Sequence, residues 1–281
     1  MNNTLNINRL WKVIKHDGYT FYHKFGLTLA IMFGIPIGIW FINYISAEIG
    51  QTGISRYSIL NTIASITMIL APARIYRDCN DPRKGIGFAT MPASSLEKFI
   101  SMFFYCIIVT PIIFWAGSII IDTLLVLIPC KNPYEGFLTN NLFVFKDLIE
   151  QAFSQNEVDP QYAIYFEDIY RLFTINRLIL IKILKVLFIS SVFMLGNMIF
   201  KKHKTTKTIG VMLIISIIAL IVTIKLTLRM EEFFNGLDAD AIVQWIISAI
   251  TNGYYIATIS ISVITIGLFA GTYFKIKKQR Y

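Results

Sequence analysis

The chain has 281 residues, 55% hydrophobic, 14% aromatic and 15% charged, with a mean hydropathy of +0.60 and a formal net charge of +9. A soluble domain carries about 25% charged residues; here hydrophobic blocks of membrane-crossing length recur instead, which excludes a soluble globular class and predicts a single all-α, polytopic membrane domain over residues 1–281. The excess positive charge is divided among four segments that flank the hydrophobic blocks, so it reads as a topology signal and an attraction to anionic membrane lipids, not as a nucleic-acid surface.

In chain order, residues 1–24 are predicted to be a cytoplasmic amphipathic segment, too polar for a signal peptide. Leu5, Leu10, Trp11 and Ile14 line one face, with Arg9, Lys12 and Lys15 elsewhere. Six spans follow, at Phe25–Ile45, Ser58–Ile75, Phe99–Ile128, Leu178–Phe200, Thr208–Leu228 and Tyr254–Phe274. The first is expected to be a retained anchor. Pro36 and Pro111 are expected to kink the first and third spans. Residues 129–177 form a long acidic loop on the outer side, with helical pieces expected at Phe145–Phe153 and Tyr162–Leu172. Residues 229–253 form a second outer segment, in which Ala241–Ile250 is apolar but too short to cross and reads as interfacial or re-entrant.

The charges orient the chain. Arg9, Lys12, Lys15 and Lys24, then Arg74, Arg77, Arg83, Lys84 and Lys98, then Lys201, Lys202, Lys204 and Lys207, then Lys275, Lys277, Lys278 and Arg280 all fall on one side, with Asp17, Asp78, Asp81 and Glu97 as its acids. The other side carries most of the acids. Lys and Arg in short loops mark the cytoplasmic face, so both termini are expected there. Cys79, Cys106 and Cys130 fall at three depths, and no pair is placed to form a disulfide.

The search for catalytic chemistry finds little. The chain lacks G-x-x-x-x-G-K-[ST], H-E-x-x-H and G-x-S-x-G. His16, His23 and His203 have no Cys or carboxylate partner at metal-ligand spacing. No catalytic, metal-binding or cofactor-binding residue set emerges, and an enzyme is not expected. Four charges lie inside the spans: Asp122, Lys182, Lys185 and Lys225. Their depths place all four in the outer leaflet. One reading is snorkelling to the headgroups, with an Asp122–Lys182 pair. The other is a polar vestibule for an anionic or amphipathic solute. Lys182 and Lys185, spaced i, i+3, share a helix face. Gly34-Ile-Pro-Ile-Gly38 and Gly267-Leu-Phe-Ala-Gly271 place small residues at close-packing spacing, either between helices of one chain or at a homodimer seam.

The most specific local signal is Met91-Pro92-Ala93-Ser94-Ser95-Leu96-Glu97-Lys98-Phe99. Ser94 and Glu97 have capping-box spacing. Pro92 stands outside the helix, where its missing N–H costs little. A helix therefore starts at Ser94 or Ser95, with Lys98 at headgroup level, and continues into the third span. Residues 76–98, including the basic and mobile stretch from Asp81 to Thr90, form a cytoplasmic elbow joined to that span. The elbow is either a well-capped helix start alone or a device for receiving a push from a cytoplasmic partner.

Arg83-Lys84-Gly85 followed by Met91-Pro92-Ala93-Ser94-Ser95-Leu96-Glu97-Lys98-Phe99 resembles the permease subunits of type 2 ABC-type exporters, especially a Bacteroidota version reading L-P-A-S-x-x-E-K-F. The resemblance implies six spans with both ends inside, an amphipathic helix before span one and a short re-entry between spans five and six. It also implies a coupling helix in the 76–98 loop that docks on a separate ATPase subunit. On this reading Arg83, Lys84, Pro92, Ser94, Glu97 and Lys98 carry coupling, ATP is bound by the partner, and the permease pairs with a second copy in a bacterial cytoplasmic (inner) membrane. The rival expectation is a non-transporting membrane scaffold or sensor that binds a partner through the outer loop.

Overall fold

A computed structural model describes residues 5–46, 52–81, 85–129, 132–141, 175–234 and 239–278. Its elements are α1 (Ile7–Ile45), α2 (Gly53–Ile75), a short α3 (Ile86–Thr90), α4 (Ser95–Phe103), a π-helical turn (Phe104–Val109), α5 (Thr110–Val126), a 3-10 turn (Leu138–Asn141), α6 (Ile175–Ile199), α7 (Lys204–Phe234) and α8 (Ala239–Lys278). The chain is an all-α protein with six helices long and apolar enough to cross a membrane, and no strand occurs among the described residues. Helices that expose Ile, Leu and Val around most of their surface are stable only where the solvent is hydrocarbon. The apolar part of α7 has no buried residue and is the extreme case.

The first helix differs from expectation. No break separates an amphipathic segment from span one: α1 is one helix of 39 residues, about 58 Å long. Its N-cap is Asn6, whose side chain accepts from the amides of Asn8 and Arg9. Its buried stripe is Val13, Asp17, Phe21, Phe25 and Leu29, every fourth residue. Of the expected apolar face, Leu5 and Trp11 are exposed, whereas Leu10 is half-buried and Ile14 packs against the core. Residues Ala241–Ile250, expected to be an interfacial or re-entrant piece, are helical and continuous with the last span. These residues open α8, a single helix of 40 residues, because nothing in Ala239–Thr251 breaks a helix before the apolar run begins.

The backbone before Pro111 departs from regular α-helix. The amide of Thr110 reaches back to the carbonyl of Tyr105, and the turn from Phe104 to Val109 widens to π geometry just before the proline. Thr110 Oγ1 donates to the same carbonyl at 2.8 Å. The third span is therefore α4, a π turn and α5 in series. Pro36 sits inside α1.

The core lies where α1, α2, α4, α6 and the end of α8 meet. Phe21, Phe25, Ile75, Met102, Cys106, Met194 and Ile276 pack there. The described residues of the four basic segments gather at this end of the bundle. Asn80 Nδ2 donates to the carbonyls of Met198 and Phe200, Lys204 Nζ to that of Arg77, and Lys24 pairs with Asp78 at 2.6 Å. The expected helical pieces at 145–153 and 162–172 lie outside the described residues, as do Arg83, Lys84 and Cys130.

Candidate functional site

The capping box forms as the spacing predicts. Ser94 Oγ accepts from the amide of Glu97 at 3.2 Å, and Glu97 Oε2 accepts from the amide of Ser94 at 2.8 Å. Glu97 is fully buried because its second oxygen has a further role. Glu97 Oε1 accepts from the amide of Asn6 at 2.8 Å and from Arg9 Nη2 at 3.1 Å. One carboxylate thus sits at the N-termini of both α1 and α4, where each helix dipole favours negative charge. The sequence spacing reveals the Ser94 half of this arrangement; the Asn6–Arg9 half requires the fold.

Lys98 follows Glu97 in the first turn of α4. It is buried, and its Nζ donates to the carbonyls of Phe88 at 2.6 Å and Ala89 at 3.1 Å, with the ammonium 5.1 Å above the Phe88 ring. The last carbonyls of α3 lack helical partners, and a cation from α4 supplies one. The stretch expected to be mobile therefore holds a short helix clamped to the start of span three. Ile86, Gly87 and Thr90 face outward from it, as does Pro92.

Behind this clamp lies a group whose role the sequence does not reveal. Asp17 is buried and accepts from Ser101 Oγ at 2.7 Å and Tyr76 Oη at 2.9 Å. It joins α1 to the end of α2 and to α4. Burial, and then the nearby Asp17 charge, push the Tyr76 phenol well above its ordinary range. Burial and Asp17 do the same to the Cys79 thiol. The only trace of Asp17 in the sequence is its place in the four-residue repeat of Val13, Phe21, Phe25 and Leu29.

At the opposite end the structure separates the four in-span charges. The expected Asp122–Lys182 pair is absent. Asp122 Oδ1 accepts from Arg56 Nη1 at 2.8 Å and its Oδ2 from the amide of Leu138 at 3.0 Å. Arg56 Nη2 also donates to the carbonyls of Glu135 and Gly136, and the guanidinium lies 4.3 Å from the centre of the Tyr134 ring. Arg56 is 3% exposed because Asp122 and two loop carbonyls draw it inward. Burial and Asp122, partly opposed by Arg56, push the Tyr134 phenol up to about 12. Asn132 ties the same loop down, accepting from Trp40 Nε1 and donating to the carbonyls of Leu125 and Val126.

Lys182 and Lys185 border a cleft of about 290 Å³ between α2, α5 and α6, with Tyr57, Asn61, Met68 and Trp115 among its other walls. Lys225 is exposed on α7 and does not line this cleft. Of the two G-x-x-x-G patterns, only Gly271 packs within the chain, near Leu195; a Cβ added at Gly34, Gly38 or Gly267 would meet nothing within 4 Å. Among the described residues no cluster of three His, Cys, Asp or Glu side chains is placed to hold a metal.

Comparison with known proteins gives no match to any family model, characterised protein or solved structure.

Proposed function

We propose that the chain is the membrane-spanning permease subunit of an ABC-type exporter, working with a separate ATPase. The observation that carries this reading is α3, clamped between spans two and three by Lys98 and presenting Ile86 outward, 50% exposed. An exposed apolar residue on a short helix, held by a buried ammonium, is suited to seat in a partner's groove and pass force onward.

The path for that force is continuous. From α3 it runs through Lys98 into α4 and through Glu97 into α1. The π turn at Phe104–Val109 is where α4 is able to swing relative to α5, since its backbone hydrogen bonding departs from the regular ladder. The basic end that carries α3 faces the cytoplasm of a bacterial inner membrane on this reading. Two copies pair, and the apolar face of α7, together with the open Gly34 and Gly38, is available as their seam.

Co-purification from the native membrane tests the proposal. A P-loop ATPase should be recovered at stoichiometric level with the wild-type chain and lost with Ile86→Asp, while membrane insertion is retained. Recovery without any ATPase, under conditions that hold a control transporter together, overturns it in favour of a scaffold or sensor.

A further inference from the structure

The cleft between α2, α5 and α6 joins two features that belong together only if something anionic enters it. Lys182 and Lys185 lie within the apolar span Ile179–Ile199. At 1.5 Å per residue Lys185 stands about 9 Å along the helix from Ile179. An ammonium at such depth requires a counter-charge or a path to water. Among the described residues neither lysine forms an ion pair, and Asp122, the acid within the spans, is engaged by Arg56 and the Leu138 amide.

The walls of the cleft say what kind of anion fits. Lys182 Nζ lies 4.7 Å over the Tyr57 ring, which stacks on Trp115 with centroids 5.9 Å apart. Asn61 and Ser65 add polar atoms beside the lysines, while Met68, Ile119 and Ile189 make the rest apolar. Two lysines and the Asn61 amide match a phosphate, whose oxygens accept from several donors at once, while the Ser65 hydroxyl donates to the Asn61 carbonyl at 2.9 Å. An apolar floor beneath them matches the first carbons of an acyl chain. At about 290 Å³ the cleft is at the small end of ligand pockets, about 300–1,000 Å³, so it holds a headgroup and the upper part of a chain. Both lysines are exposed at the bundle surface beside exposed Ile179, Ile181 and Ile183, so the ligand enters from the hydrocarbon side.

We propose that this cleft is a binding site for an anionic phospholipid, with Lys182 and Lys185 holding the phosphate and the apolar floor taking the proximal acyl chain. The inference is independent of the permease reading, since a lipid site of this kind serves a scaffold equally well.

Native mass spectrometry of the full chain tests it, using phosphatidylglycerol and phosphatidylcholine presented in a neutral detergent. The wild-type chain should retain phosphatidylglycerol about tenfold better than phosphatidylcholine, a difference carried by the second positive contact. Lys182→Gln with Lys185→Gln should abolish that preference, and Lys225→Gln should leave it unchanged. Equal retention of the two lipids by the wild type overturns the proposal and needs no variant. So does a preference that survives the double substitution or falls equally with Lys225→Gln. Competition by glycerol phosphate as effective as that by phosphatidylglycerol overturns the lipid assignment and makes the site one for a soluble phosphate. If the double variant fails to run as a monodisperse species, Lys185→Arg, which keeps the charge, should retain the preference while Lys185→Gln weakens it; equal behaviour of the two overturns the proposal.

Discussion

Arg56 Nη1 donates to Asp122 Oδ1 at 2.8 Å, with both side chains buried, and the same guanidinium holds the carbonyls of Glu135 and Gly136. The pair therefore joins α2 to α5 and pins the start of the outer loop. Removing one partner leaves the other charge buried without compensation. Arg56→Met or Asp122→Leu alone should cost about 3–5 kcal/mol, and the double substitution should recover most of that loss. Thermal melting of the four proteins in detergent, read as a double-mutant cycle, checks this. Additive losses would show that the two charges do not stabilise each other.

Glu97 serves three donors at two helix starts, whereas Ser94 Oγ serves one. Ser94→Ala should cost about 1 kcal/mol, the usual value of an N-cap. Glu97→Gln should cost about 2–3 kcal/mol, because it removes the charge that Arg9 and two amides share. Hydrogen exchange at the Asn6 and Ser94 amides should rise in Glu97→Gln, and at the Glu97 amide alone in Ser94→Ala. Equal stability losses in the two variants would mean that the α1 contacts contribute nothing.

The Tyr134 phenol is pushed up to about 12, above the ordinary value of about 10. Between these values the folded protein holds a proton that the unfolded chain has released, so stability falls as pH rises through this window. Tyr134→Phe should flatten the alkaline loss of melting temperature from about pH 10 to about pH 12. An unchanged slope would contradict the assignment.

Cys79 is buried, with its thiol pushed far above the ordinary thiol range, chiefly by burial and then by Asp17. A thiol reacts as its thiolate. Folded protein carrying Cys130→Ser and Cys106→Ala should resist a membrane-permeant maleimide at about pH 8 by roughly tenfold or more relative to the denatured protein. Rapid labelling of the folded form would place Cys79 at an accessible surface.

Two glycines in spans differ in what surrounds them. A Cβ on Gly117 would lie 2.6 Å from Phe33 Cζ, so Gly117→Ala should destabilise by about 1–3 kcal/mol. Gly38 has open space, and Gly38→Ala should stabilise the single chain by about 0.5–1 kcal/mol through helix propensity. If the same substitution weakens self-association measured by cross-linking, a second copy covers that face.

The six spans, the all-α class and the capping box at Ser94 and Glu97 follow from the sequence by itself. Hydropathy over about 20 residues and hydrogen bonding within one helical turn are local properties, readable in chain order. The grouping of the basic segments at one end of the bundle follows from span parity. The unbroken lengths of α1 and α8 did not follow, because the polar-to-apolar boundaries at residue 24 and residue 253 mark where the surroundings change and not where the backbone does.

What only the tertiary structure decided is the pairing of charges. Asp17, Glu97 and Lys98 fall among the charges of the segments that flank the spans, and they are buried, as is Arg56. Their partners are Ser101, Asp122, Asn6 and Arg9, and the carbonyls of Phe88 and Ala89, and most of these lie on another helix. A buried charge is stable only when its counter-charge or hydrogen-bond donors are fixed at contact distance, and contact between helices is set by how they pack against one another, which no local pattern in the sequence encodes.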